Sequence, residues 1–265
     1  MGTNRKNYFD NAFPDLTIDA ISEADVARWF ARLSDRSGPG GANRCMAILN
    51  QMMRKAEDWG YRPEGSNPCR LIRRNRTRPR SRFLSDVELA RLGPILAAAR
   101  ASVDPKQAAC AAALTLLLLT GCRRQEIVDL EWGDVRGPRL LLRDTKTGPR
   151  TVWLGRDAAA LLANLPRLKK VRFVFSDGLR KIAGDDVSNA WYRIRIGAGL
   201  TDVRLHDLRH TFASHAAMTA ETLPMIGKLL GHATVQATAR YAHLDDAHLS
   251  DAVLKLGGIM ERMMA

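Results

Sequence analysis

The sequence predicts a mainly α-helical chain with a small antiparallel β-sheet, an α+β fold in two parts. Three features predict it. Apolar residues recur at helical spacing through most of the 265 positions, and two of these runs open on a Ser-x-x-acid capping pattern. One stretch, RLLLRDTKTGPRTVWL at 139–154, reads as two strands about a turn. An arginine-rich segment without apolar periodicity separates a short helical region from a longer one.

The elements follow in order. Ser22 and Asp25 stand at capping-box spacing, and Val26, Trp29, Phe30 and Leu33 then repeat at helical intervals. SGPGG at 37–41 breaks the pattern. A second helix is expected over about 42–59, with Met46, Leu49, Met53 and Ala56 on one face. NPC at 67–69 closes this region, so residues 1–69 are expected to form a small all-α domain. Residues 70–82 are expected to be an unpacked basic linker, and residues 83–265 a second, larger domain. There Ser85 and Glu88 form another capping box. AACAAALTLLLL at 108–119 falls short of the roughly 20 residues that span a bilayer, so it reads as a buried core helix. The two strands meet at a turn over 146–149. VRFVF at 171–175 reads as a further strand, and helices are expected around 187–196, from His206 onward through LHDLRHTFASHAAM, and over Leu223–Leu230. The tail, 246–264, repeats Leu249, Val253, Leu256, Ile259 and Met263 at helical spacing; its apolar face must dock on its own domain or on a neighbouring subunit.

Charge narrows the function. Lys and Arg number 41 against 28 Asp and Glu, a net of +13. Such an excess points to a polyanionic partner, nucleic acid first, over a basic protein with no such partner. Residues 1–82 hold sixteen Lys and Arg against nine Asp and Glu, a net of +7. Arg70, Arg73, Arg74, Arg76, Arg78, Arg80 and Arg82 account for all of it. They read either as a solvated linker or as a strap on DNA phosphates, and the overall charge favours the strap. Cys45, Cys69, Cys110 and Cys122 form no Cys-x-x-Cys pair and no signal-peptide pattern opens the chain, so free thiols in a reducing cytoplasm are expected. There is no His-Glu-x-x-His stretch, no Cys/His cluster and no Gly-x-x-x-x-Gly-Lys loop. Neither a metal nor another cofactor is expected.

Chemistry-bearing residues then appear in a fixed order. Arg123 follows a buried helix and a glycine in TGCRRQEI. Lys146 sits in the hairpin turn, in TKTG. His206 and Arg209 are three apart in HDLRHTFASH. His232 closes LLGH, and Tyr241 stands in ARYAH. Singly each has a bland reading: an exposed turn lysine, a structural His-x-x-Arg pair, a surface tyrosine. Together, in this order, they resemble the tyrosine recombinase (phage integrase) family, strongly over 85–243. More weakly, the helical region and linker before them look like that family's core-binding domain.

The resemblance implies DNA strand cleavage and rejoining without ATP or metal, through a 3′-phosphotyrosine. Tyr241 would be the nucleophile, and Arg123 and Arg209 the forks that hold two phosphate oxygens at once. His232 would donate a further hydrogen bond, His206 would help to take the phenol proton, and Lys146 would protonate the leaving 5′ oxygen. Double-stranded DNA is the implied partner. A homotetramer on paired sites is implied too, a monomer or weak oligomer when free, in the bacterial cytoplasm on the nucleoid. Glu126 is expected to orient an arginine, His210 and His243 to support the site residues from behind or to be structural, and Tyr192 to be core. A non-catalytic DNA-binding regulator and a type IB topoisomerase-like enzyme are the rival readings. The complete set of site residues argues against the regulator.

Overall fold

The structure, a computed structural model, describes residues 9, 12–77, 82–143, 148–219, 222–232, 234–239, 241, 242, 260 and 263. The chain divides into two compact units, Met1–Arg80 and Ser81–Ala265.

Helix α1, Glu23–Asp58, dominates the first unit. The Ser22 hydroxyl accepts the Asp25 amide and the Asp25 carboxylate accepts the Ser22 amide, a reciprocal cap worth about 1 kcal/mol. The break within SGPGG is confined to one residue. Gly38 leaves helical geometry at φ 69° and ψ 166°, and Pro39 resumes the helix, so the second half starts ahead of residue 42. A positive φ costs glycine nothing sterically, and a proline in a first turn has no amide to leave unsatisfied. Val26, Trp29, Phe30, Leu33, Met46, Leu49 and Met53 share one core with Ile21 and Cys69.

This unit does not stop at residue 69. Ile72 packs against the same core. Asn43 Nδ2 donates to the Asn75 carbonyl at 2.8 Å, and the Asn75 amide donates to Asn43 Oδ1 at 2.9 Å. Asn75 Nδ2 also donates to Ser34 Oγ at 2.8 Å. Residues 70–77 are thus stitched to the helical unit, which corrects the expectation of an unpacked linker. Arg70, Arg73, Arg74 and Arg76 stand exposed on this stitched segment.

The second unit is built around helix α3, Pro105–Thr120, which is buried on almost every side and packs against α2, Asp86–Arg100, and α6, Gly184–Gly197. Ser85 and Glu88 cap α2 reciprocally. The short helix α4 spans Arg124–Val128. Strands β1 (Val135–Arg136), β2 (Arg139–Leu142) and β3 (Arg150–Trp153) form an antiparallel sheet in that order. Leu140 pairs with Val152, and both face the core beside Leu142. The two-residue β1 was not legible as a strand. Four more helices follow: α5 (Arg156–Ala163), α7 (Asp207–Met218), α8 (Leu223–Leu230) and α9 (Val235–Ala239); α6 lies between α5 and α7.

Two expectations are corrected here. Residues 171–175 form no strand. Phe173 makes one bridge to Glu131, flanked by the Trp132 amide on the Arg172 carbonyl and the Val174 amide on the Leu130 carbonyl. The ladder stops because the facing chain coils into a 3₁₀ turn at Trp132–Asp134. Tyr192 is not core. The buried stripe of α6 runs through Val187, Ala190, Trp191 and Ile194. One position on, Tyr192 is 59% exposed, with the Arg195 guanidinium 5.1 Å over its ring.

Lys146, Arg78, Arg80 and His243 lie outside the described residues, as does the 246–264 tail apart from Met260 and Met263. Among the described residues no helix is long and apolar enough to cross a membrane.

Candidate active site

Helix α3 ends at Gly121, which takes the left-handed φ of 62°. A Cβ there would lie 2.5 Å from Phe212 Cδ1 and 2.9 Å from Leu230 Cδ2. Two residues on, Arg123 is the N-cap of α4. Its amide donates to Glu126 Oε2 and its Nη1 to Glu126 Oε1, both at 2.8 Å. Glu126 therefore orients Arg123 through backbone and side chain together, as expected of it. The same carboxylate accepts Arg150 Nη2 at 2.7 Å.

Helix α8 ends at Gly231, also left-handed at φ 65°. Three arginines take three successive carbonyls at this end. Arg150 Nη1 donates to Leu229 at 3.0 Å, Arg209 Nη2 to Leu230 at 2.9 Å and Arg123 Nη2 to Gly231 at 3.2 Å. A helix C-terminus presents unfilled carbonyls and partial negative charge, so cations settle there. Arg209 Nη1 also donates to the Gly121 carbonyl at 2.7 Å. Arg209, 5% exposed, is thereby fixed between the ends of α3 and α8.

Arg123 and Arg150 thus bind the Glu126 carboxylate, and Arg209 is held by carbonyls of the same cluster, an excess of two positive charges. Burial, and next the neighbouring Arg123, push Arg209 down to about 10, so it stays protonated near neutral pH. Burial alone would raise Glu126, but the hydrogen bonds from Arg150 and from the Arg123 amide outweigh it and hold the carboxyl below its ordinary range. Such a cluster can neutralise a phosphodiester, and its charge excess matches a dianionic transition state better than the singly charged ground state.

Helix α7 supplies the histidines. His206 is its N-cap and exposed; Arg209 turns inward; His210 lies one turn beyond His206. The two histidine rings meet edge to face, 4.9 Å apart. His210 Nδ1 lies 2.7 Å from Tyr241 Oη. Tyr241 itself is 4% exposed and packs with Ala213, Ala217, Ile226 and Leu230 of α7 and α8. His232 Nδ1 lies 2.8 Å from Thr238 Oγ1, and its amide donates to the Gly227 carbonyl.

Arg123 and Arg209 are brought together at the α8 terminus, and His232 follows directly on it. Two residues at this site were not assigned to it from the sequence. Arg150 sits one strand past the hairpin turn, where alternation gives no sign of a buried cation. His210, read as a supporting or structural residue, touches the tyrosine oxygen; the signal in the sequence was its position one turn after His206. Arg82 departs from the strap expected of it. Its guanidinium is held by Glu88 at 2.5 Å and Asp202 at 2.8 Å.

A cavity of about 340 Å³ opens beside the arginines, lined by Cys122, Arg124, Ser188, Arg204, His206 and Arg209 among others. A larger one, about 850 Å³, lies against α2, α3 and α5; its lining is half alanine and leucine and includes none of the site residues above. Among the described residues no three His, Cys, Asp or Glu side chains gather as a metal ion would need.

The second unit has the architecture of the enzymes that break and rejoin DNA through a tyrosine. A sequence model of the phage integrase family matches residues 87–248, and the chain belongs to that family. It is 31% identical over 246 residues to tyrosine recombinase XerC of Rhizobium meliloti (strain 1021), covering 88% of this chain and 76% of that protein. It is 34% identical over 139 residues to the integrase of Haemophilus phage HP1, covering 52% of this chain and 38% of that integrase. Its fold is similar to that of a lambda integrase tetramer bound to a Holliday junction, with a TM-score of 0.69, 18% identity, and 87% and 70% of the two chains covered.

Proposed function

We propose that this chain is a site-specific recombinase that cuts and rejoins double-stranded DNA through a 3′-phosphotyrosine at Tyr241, for integration and excision of a mobile element. Arg123 and Arg209 hold the non-bridging oxygens of the scissile phosphate, His232 donates a further hydrogen bond, and His206 helps in taking the phenol proton. Lys146 protonates the departing 5′ oxygen. The link to Tyr241 is itself a phosphodiester, so a second 5′ hydroxyl reverses the reaction without ATP.

The observation that carries this reading is the arginine cluster. Two buried or half-buried forks are locked in place by backbone carbonyls and Glu126, with a charge excess that an entering phosphate would relieve. Preorganised donors of this kind cost no reorganisation when the reaction occurs.

The helical first unit and the exposed Arg70, Arg73, Arg74 and Arg76, with Arg78 and Arg80, would bind the flanking duplex. A homotetramer on two paired sites would exchange the strands, as the lambda integrase tetramer on its Holliday junction suggests. The reaction would take place in the cytoplasm, on the nucleoid.

The test is a pool of nicked suicide duplexes of randomised sequence, read on a denaturing gel. A covalent adduct that Tyr241→Phe abolishes is expected. An adduct of normal yield from Tyr241→Phe moves the nucleophile elsewhere. No adduct from the native chain favours a non-catalytic DNA-binding regulator. Joining of strands from two different duplexes separates a recombinase from a topoisomerase.

A further inference from the structure

We propose that His210 is a catalytic residue of this site: it accepts the Tyr241 phenol proton as the oxygen attacks, and returns it when the phosphotyrosine is released. This rests on the reading of Tyr241 as nucleophile. The proton of an attacking phenol must leave along a hydrogen bond, and a base must already lie within about 2.6–3.2 Å to receive it. His210 Nδ1 meets that condition at 2.7 Å from Tyr241 Oη.

The fold holds the pair without help from DNA. His210 is carried by α7, the helix whose preceding residue, Arg209, is bolted to the ends of α3 and α8. Tyr241 packs with Ala213 and Ala217 of the same helix and with Ile226 and Leu230 of α8. Its amide donates to the Thr238 carbonyl, which fixes the chain at the end of α9. The His210–Tyr241 vector is therefore set by the same packing that sets Arg209. Among the described residues, His206 stands edge to face with the His210 ring.

The step balances as follows. The Tyr241 Oη–phosphorus bond forms and the phosphorus–O5′ bond breaks. The phenol proton passes to His210 Nδ1, with Nε2 already protonated, and the leaving O5′ takes its proton from the general acid assigned to Lys146. Rejoining runs each transfer backwards.

His210→Asn keeps a polar atom near the Nδ1 position but cannot accept a proton near neutral pH. Single-turnover cleavage of the same nicked pool by the full chain is expected to fall about 100-fold or more, the usual scale of general-base loss. A histidine base is expected to make the native rate rise with pH, and His210→Asn is expected to lose that rise. Cleavage within about threefold of native with the same pH profile would reduce His210 to a structural role and overturn the proposal. Should His210→Asn not fold, nitrogen NMR of the histidine rings in the native chain decides. An unprotonated Nδ1 whose signal moves in Tyr241→Phe is expected; an Nδ1–H tautomer, or no response to Tyr241→Phe, overturns it. An adduct that persists in Tyr241→Phe defeats the nucleophile assignment instead, so the two failures are distinguishable.

Discussion

Arg150 Nη2 lies 2.7 Å from Glu126 Oε2, joining the third strand to the carboxylate that orients Arg123. Both side chains are nearly buried, at 10% and 4% exposed. Its Nη1 reaches the α8 terminus, so one guanidinium connects β3, α4 and α8. Arg150 Nε is buried and finds no partner among the described residues. Removing one member of a buried pair leaves the other charge uncompensated, at a cost of about 3 kcal/mol. Arg150→Met is expected to destabilise the chain by that order and to slow cleavage by loosening Arg123. Chemical denaturation of Arg150→Met, Glu126→Gln and the double variant measures the coupling. An unchanged midpoint for Arg150→Met would show that the pair does not matter.

The charge excess predicts anion binding without DNA. Inorganic phosphate or vanadate should raise the thermal midpoint, by an amount equivalent to about 2.7 kcal/mol at 100 times the dissociation constant. Arg209→Ala should abolish the gain. An equal shift in the variant would place the anion outside the arginine cluster.

Gly121→Ala is expected to damage both stability and cleavage. A left-handed φ costs a non-glycine residue about 1–2 kcal/mol, and overpacking against Phe212 and Leu230 adds about 1–3 kcal/mol. The Gly121 carbonyl that anchors Arg209 must shift with the backbone. Gly133→Ala, where a Cβ meets nothing within 4 Å, serves as the control. Equal behaviour of the two variants would contradict the steric account.

Acid should loosen the second unit through Glu88. The Arg82 hydrogen bond, first among several causes, lowers this carboxyl to about 2. A depressed carboxylate contributes stability that is present above its unfolded value, near 4.3, and lost as pH falls through the folded one. Denaturation midpoints should therefore decline between about pH 4.3 and about pH 2, and less steeply in Glu88→Gln. A parallel decline in the variant would assign the acid limb to other groups.

Arg82 also separates from its neighbours in DNA binding. Replacing the exposed Arg73, Arg74 or Arg76 with glutamine should each lower the log–log salt slope by up to about 0.9. Arg82→Gln should leave the slope nearly unchanged, because Glu88 and Asp202 already hold that guanidinium. Equal losses from all four would mean that Arg82 lets go of its carboxylates on DNA.

Local chemistry by itself determined a large share of this protein. The two capping boxes, the stripes of α1, the buried α3 and the β2–β3 hairpin follow from residues near one another in the chain, and Arg123, His206, Arg209, His232 and Tyr241 were legible as a series by their order along it. What remained hidden was which remote segment arrives at each face. Arg150 gained its role from Glu126 and Leu229, far away in sequence. Asn75 turned a basic run into part of a folded unit by reaching Asn43 and Ser34. Arg82 was withdrawn from the run by Asp202, more than a hundred residues on. His206 and His210 share one helical face, and periodicity cannot rank them; the packing of Tyr241 between α7 and α8 put its oxygen on His210. Spacing fixes the direction a side chain takes from its own element, whereas its partner is set by the burial and hydrogen bonding of the whole domain.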